Sequence, residues 1–159
     1  ARAADGTVGH PDVLVAQVRR MLNDPRARGF VTAFAGSWLD FRRFETHNAV
    51  DRGVFPSFDE ALRSAMFEEP IRLVHDAISH DRSVLDLVTG GHTMVNATLA
   101  RHYGMPAADN AEAWVRVDGT PYGRGGLLGM AVFMTKNAPG LRTSPVKRGH
   151  WVATRVLGD

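Results

Sequence analysis

The chain has 159 residues, 44% of them apolar and 23% charged, with a formal net charge of +2. That composition suits a soluble globular domain with a sizeable core and excludes disorder along the whole chain. It also lacks the basic excess of a typical nucleic-acid binder, and the absence of cysteine excludes disulfides, thiolate zinc sites and covalently attached c-type haem within the chain.

Residues 1–10 carry neither an initiator methionine nor a basic-then-apolar signal, and read as a flexible lead-in. The chain is expected to begin partway through a longer polypeptide. Leu14, Val18, Met21 and Leu22 recur at helical spacing and predict a helix over 12–23. Asp24-Pro25 ends it and predicts the next start, with Asp24 as N-cap and Pro25 as first helical residue. In that second helix Phe30, Phe34, Trp38 and Phe41 form an aromatic stripe expected to pack in the core. THNAVDRGVFP (46–56) is loop.

SFDE at 57–60 fits a capping box, Ser57 with Glu60, and opens a helix towards residue 79. Pro70 predicts a kink or break in it near Met66 to Pro70. A short helix follows at 81–88, capped by Ser83, and another at 93–104, closed by Gly104 and Pro106. Between 105 and 124 only AWVRV (113–117) alternates like a strand. No apolar run approaches the roughly 18 residues of a membrane span. The most apolar stretch, GGLLGMAVFM (125–134), reads as buried core, helical by preference with a strand as the alternative. Ser144 and Pro145 open a last helix. The expected fold is mainly α: one irregular domain over 1–159, of about six to seven helices, with a short β or irregular segment near 105–124.

Candidate chemistry concentrates in RTSPVKRGHWV (142–152). Arg142, Lys147 and Arg148 surround the start of the last helix, where Ser144 leaves free backbone N–H groups and the positive end of the dipole. Cations are unfavourable there unless a carboxylate or a bound anion offsets them. The stretch is therefore either an anion or cofactor site made by Arg142, Ser144, Lys147 and Arg148, or a helix start held by internal ion pairs. No phosphate-cradling loop, HExxH or GxSxG pattern occurs. His75 and His80 are five apart, about 140° around a helix, and cannot share one ion. His92 and His102 flank one helix and are the first candidates for metal ligation or proton transfer, although His102 also suits a helix C-terminus. Catalytic residues are not legible.

The phrases RRMLNDPRARGFVTAFAGSWLDFRRF, FPSFDEALRSAM, DRSVLDLVTGGHTMVNATLARHYGM and RGGLLGMAVFMTKNAPGLRTSPVKRGHWVATRVLG carry a resemblance over about residues 16–158. They resemble successive segments of large exported bacterial proteins built from domains of unknown function, of planctomycete and myxobacterial type, that accompany c-type cytochrome domains. The chain departs from the family pattern at His92, where an aromatic is usual, and at Pro70. The resemblance implies an extracytoplasmic, periplasmic or secreted setting and a role in electron transfer. It further implies haem carried by a partner domain or chain, and as partners the rest of the parent protein and a c-type cytochrome. The chain is then expected to be a helical module of an exported oxidoreductase, shaping a substrate or cofactor pocket whose redox centre lies elsewhere. The alternative is a structural or interaction module without chemistry of its own.

Overall fold

The computed structural model describes residue 4 and residues 6–47, 49–107, 110 and 113–159. Parts of the expected lead-in (1–10), of the loop at 46–56 and of the irregular stretch at 105–124 lie outside the described residues. Among those described, seven α-helices run in the order α1 (Pro11–Leu22), α2 (Ala27–Trp38), α3 (Glu60–Ser79), α4 (Asp86–Thr89), α5 (Ala97–Tyr103), α6 (Ala131–Lys136) and α7 (Pro145–Val152). Two short strands, β1 (His92–Val95) and β2 (Val115–Asp118), pair antiparallel with His92 opposite Asp118 and Val95 opposite Val115. The fold is mainly α, as expected.

α3 is the central element. Its Leu62, Met66, Phe67, Ile71, Leu73 and Val74 are buried, and the remaining elements gather around them. Phe41 sets its ring edge-on to Phe67 at 5.5 Å and to Phe133 at 5.8 Å. Trp151 from α7 stacks on Phe133 at 4.5 Å and donates its Nε1–H to the Leu39 carbonyl at 2.9 Å. Buried aromatics with satisfied polar tips are what make such a core specific. The same cluster takes residues from both ends of the chain, Val31 and Leu39 as well as Val132 and Trp151.

Pro70 does not break α3, which is continuous from Glu60 to Ser79. A mid-helix proline costs about 3 kcal/mol, but Pro70 is itself buried among apolar neighbours. Each fully buried large side chain contributes roughly 1.5–3 kcal/mol, enough in sum to hold the helix together. The cap of α3 is Asp59, whose Oδ1 accepts from Leu62 N at 2.8 Å, and not Ser57. Glu60 instead pairs with Arg52 and Arg63. At the start of α2, Asp24 accepts from Arg26 N at 2.9 Å and Pro25 remains in the turn, so the helix begins two residues later than expected. Ser83 accepts from Leu85 N at 3.2 Å, but α4 forms only from Asp86.

The helix expected over 93–104 is two elements. Thr93 to Val95 pair with β2, and Asn96 then caps α5 by accepting from Leu99 N at 2.9 Å. Gly104 ends α5 with φ at 71°, a left-handed conformation that glycine adopts without strain. The aromatic stripe expected on α2 is also divided, and its last member lies off the helix, which ends at Trp38. Phe41 is fully buried, whereas Phe30 and Phe34 are 56% and 47% exposed. Ser144 does cap the last helix, accepting from Lys147 N at 3.3 Å.

Candidate functional site

A cavity of about 400 Å³ opens where α3, the end of α5 and the loop after α6 meet. Its walls are apolar, with Phe55, Phe58, Leu62, Met66, Met134 and Leu141 among them. Against these stand a few polar groups: Ser57, His102, Thr135 and Arg142. An apolar pocket with a few convergent polar groups is the usual form of a small-molecule site. His102 comes from the last turn of α5 and Arg142 from the loop before α7, so two of the candidates from sequence share one pocket.

The other members of the basic stretch lie beside this cavity. Ser144 spends its hydroxyl on the helix cap. Arg148 turns its Nη1 to the Met134 sulfur at 3.2 Å, which fixes one wall residue of the pocket. Lys147 is exposed. Among the described residues, none of Arg142, Lys147 and Arg148 pairs with a carboxylate within 4.0 Å. Among the described residues, then, the stretch shows no internal ion pair of the kind a purely structural helix start would use. His92 lies apart, in a second cavity of about 300 Å³ with Arg82, Arg116, Asp76 and Asp86.

Behind the first pocket sits a buried polar network that the sequence reading missed. Glu69 on α3 is 1% exposed. It accepts from the Thr93 hydroxyl at Oε1 and from the Tyr103 hydroxyl at Oε2, the latter at 2.6 Å. Tyr103 OH in turn accepts from Ala131 N at 2.8 Å, which satisfies one free donor at the start of α6. Arg124 lies over the Tyr103 ring at 4.4 Å and donates to the Gly129 carbonyl at 2.8 Å. Burial pushes the Glu69 carboxyl up to about 7, against the opposing effect of its two hydroxyl donors and of Arg124. The Tyr103 phenol is raised well above its ordinary value, first by burial and then by the charge of Glu69. His102, next in chain to Tyr103, is held below the ordinary histidine value by partial burial and by Arg124. A signal for Glu69 was present. It stands three residues after Met66 and four before Leu73, inside the apolar stripe of α3.

Among the described residues no group of three or more His, Asp or Glu side chains converges to hold a metal ion. For haem, thioether attachment has no cysteine to use. His92 and His102 line different cavities and do not oppose one another across one. These residues do not fit a resident haem held between the two. No helix among the described residues is long and apolar enough to cross a membrane.

The site straddles a boundary that also appears in comparisons with known families. Residues 124–159 match the family described as PSCyt3, protein of unknown function (DUF1588). Residues 1–105 match PSD4, protein of unknown function (DUF1592). Both are domains that accompany cytochrome c domains in planctomycete-type proteins. No curated protein and no solved structure matches the chain. With about two thirds of its length covered by the first model, the chain belongs to the PSD4 (DUF1592) family of proteins of unknown function.

Proposed function

We propose that this chain is a helical module of an exported, cytochrome-associated redox protein, and that the His102–Arg142 pocket receives the substrate or cofactor group on which that protein acts. The redox centre is haem on an accompanying domain or chain. The carrying observation is Arg142: a guanidinium at the mouth of an apolar cavity, with no carboxylate partner among the described residues. A guanidinium so placed suits a carboxylate, by charge-assisted and frequently bidentate hydrogen bonds. The acid would be that of a substrate or a haem propionate, its apolar body lying against Phe58, Leu62 and Met66. His102, with its lowered pKa, stays neutral at pH 7 and is able to accept or donate a hydrogen bond there.

The test is a titration of the labelled chain with 4-phenylbutyrate, followed by amide chemical shifts. Shifts confined to 55–66, 102 and 134–143, abolished by Arg142→Gln at unchanged melting temperature, support the proposal. No saturable shift, or shifts that survive Arg142→Gln, would leave the alternative of a structural module without chemistry.

A further inference from the structure

We propose that α1, together with Phe30 and Phe34 of α2, forms a self-complementary interface through which two copies of this chain pair, α1 lying antiparallel to α1 of the second copy. α1 contributes no buried residue to the fold. Leu14, Val15, Val18 and Met21 on one side of it, and Phe30 and Phe34 across the turn, are each between 46% and 60% exposed. A helix of 12 residues without packing is at best marginal in water. Its apolar face therefore calls for a cover. Grooves flank it on both sides. One, of about 460 Å³, lies between Val18, Met21, Leu22 and Phe30. The other, of about 480 Å³, lies towards Ile78 and Asp81 at the end of α3.

Area and charge favour a second copy as the cover. The six exposed residues leave roughly 600 Å² of apolar surface open, at the top of what a monomer's largest patch shows. The same face on two copies supplies most of the ~800 Å² per partner of a standard interface. Asp12 stands in the first turn of α1 and Arg19 in the last. Seven residues apart, they lie two turns along one flank of the apolar face, offset by only about 20°. Among the described residues neither forms an ion pair within 4.0 Å. Under an antiparallel two-fold a flank faces the same flank, so each Asp12 meets Arg19 of the other copy. The apolar rows between them then interdigitate, Leu14 against Val18, and the helix dipoles oppose. Phe30 and Phe34, stacked at 5.9 Å, close over the partner helix.

Sedimentation velocity across 1–200 µM tests this on the intact chain. The expected result is a monomer–dimer equilibrium that Val18→Glu shifts to monomer at every concentration. Near-UV circular dichroism should not change, because Val18 is outside the core. Asp12→Arg alone should weaken dimerisation at least tenfold, and Asp12→Arg with Arg19→Asp should restore it. A wild-type chain monomeric at 200 µM would overturn the proposal and assign the face to a different molecule or segment. A dimer indifferent to Val18→Glu, or single and double charge reversals with equal effect, would overturn it as well.

Discussion

Glu69→Gln isolates the one fully buried carboxyl in the protein's described core. Its ordinary pKa of 4.5 is pushed up to about 7 in the fold. In the native state it therefore keeps its proton through a pH range in which the unfolded chain has released it. The sign follows directly: native binds more protons than unfolded, so stability falls as pH rises. The contribution is fully present below 4.5 and is lost as pH climbs through about 7. Between those values the loss runs at about 1.4 kcal/mol per pH unit and accumulates to about 3 kcal/mol.

Glutamine copies the protonated form. Its carbonyl accepts from Tyr103 OH, and its amide donates to Thr93 Oγ1, so both contacts survive with one direction reversed. Urea unfolding at pH 5, 6, 7 and 8 should give wild type and Glu69→Gln of similar stability at pH 5. By pH 8 the variant should be ahead by about 3 kcal/mol. Taking the difference removes His47 and His102, whose lowered values act in the opposite sense, adding stability as pH rises. Parallel curves across this range would refute the reasoning, since they would mean that the carboxyl ionises in the fold at no extra cost.

Three further outcomes follow from the same geometry. Tyr103→Phe strips both the donor to Glu69 and the acceptor for Ala131 N; chemical denaturation at pH 6 should show a loss of about 2–3 kcal/mol. Asp59→Ala should cost about 1 kcal/mol and Ser57→Ala close to nothing, because only Asp59 caps α3; equal losses would return the cap to Ser57. The His102 imidazole should titrate below its ordinary 6.5 when followed by NMR, and Arg124→Gln should bring it part of the way back, the remainder being due to burial.

What was legible in the sequence was local. The last helix begins at Ser144 and α5 ends at Gly104 because one hydroxyl and one left-handed glycine decide those places within a few residues. Where the outcome turned on distant segments, local signals failed. Thr93 to Val95 have a helical pattern with their successors, but β2, more than 20 residues on, offers a full set of strand partners and wins them. Ser57 and Asp59 both offer a cap for α3, and nothing in SFDE says that Glu60, the other half of the expected capping box, will be drawn off by Arg52 and Arg63. The aromatic stripe at 30–41 has the spacing of a core face throughout; that Phe41, beyond the end of α2, is covered while Phe30 and Phe34 are not depends on where α3 and α6 pass.

The candidate site follows the same division. Arg142 stood out as a cation without an obvious local partner, and it still lacks one among the described residues in three dimensions. Its neighbours were not legible, because His102 and Met66 reach the pocket from other helices. The pocket and the Glu69 network both cross from the segment matched by one family model to that matched by the other. Glu69, Thr93 and Tyr103 lie in the first; Arg124, Ala131, Met134 and Arg142 lie beyond it. Separating the segments would leave Glu69 buried beside a phenol whose other partner, Ala131 N, had gone, and would open the Leu39 carbonyl that Trp151 covers. An unsatisfied buried group costs about 1–3 kcal/mol, and the two segments share one apolar core besides. We therefore expect the two matched segments to fold as one unit, with the pocket existing only where both are present.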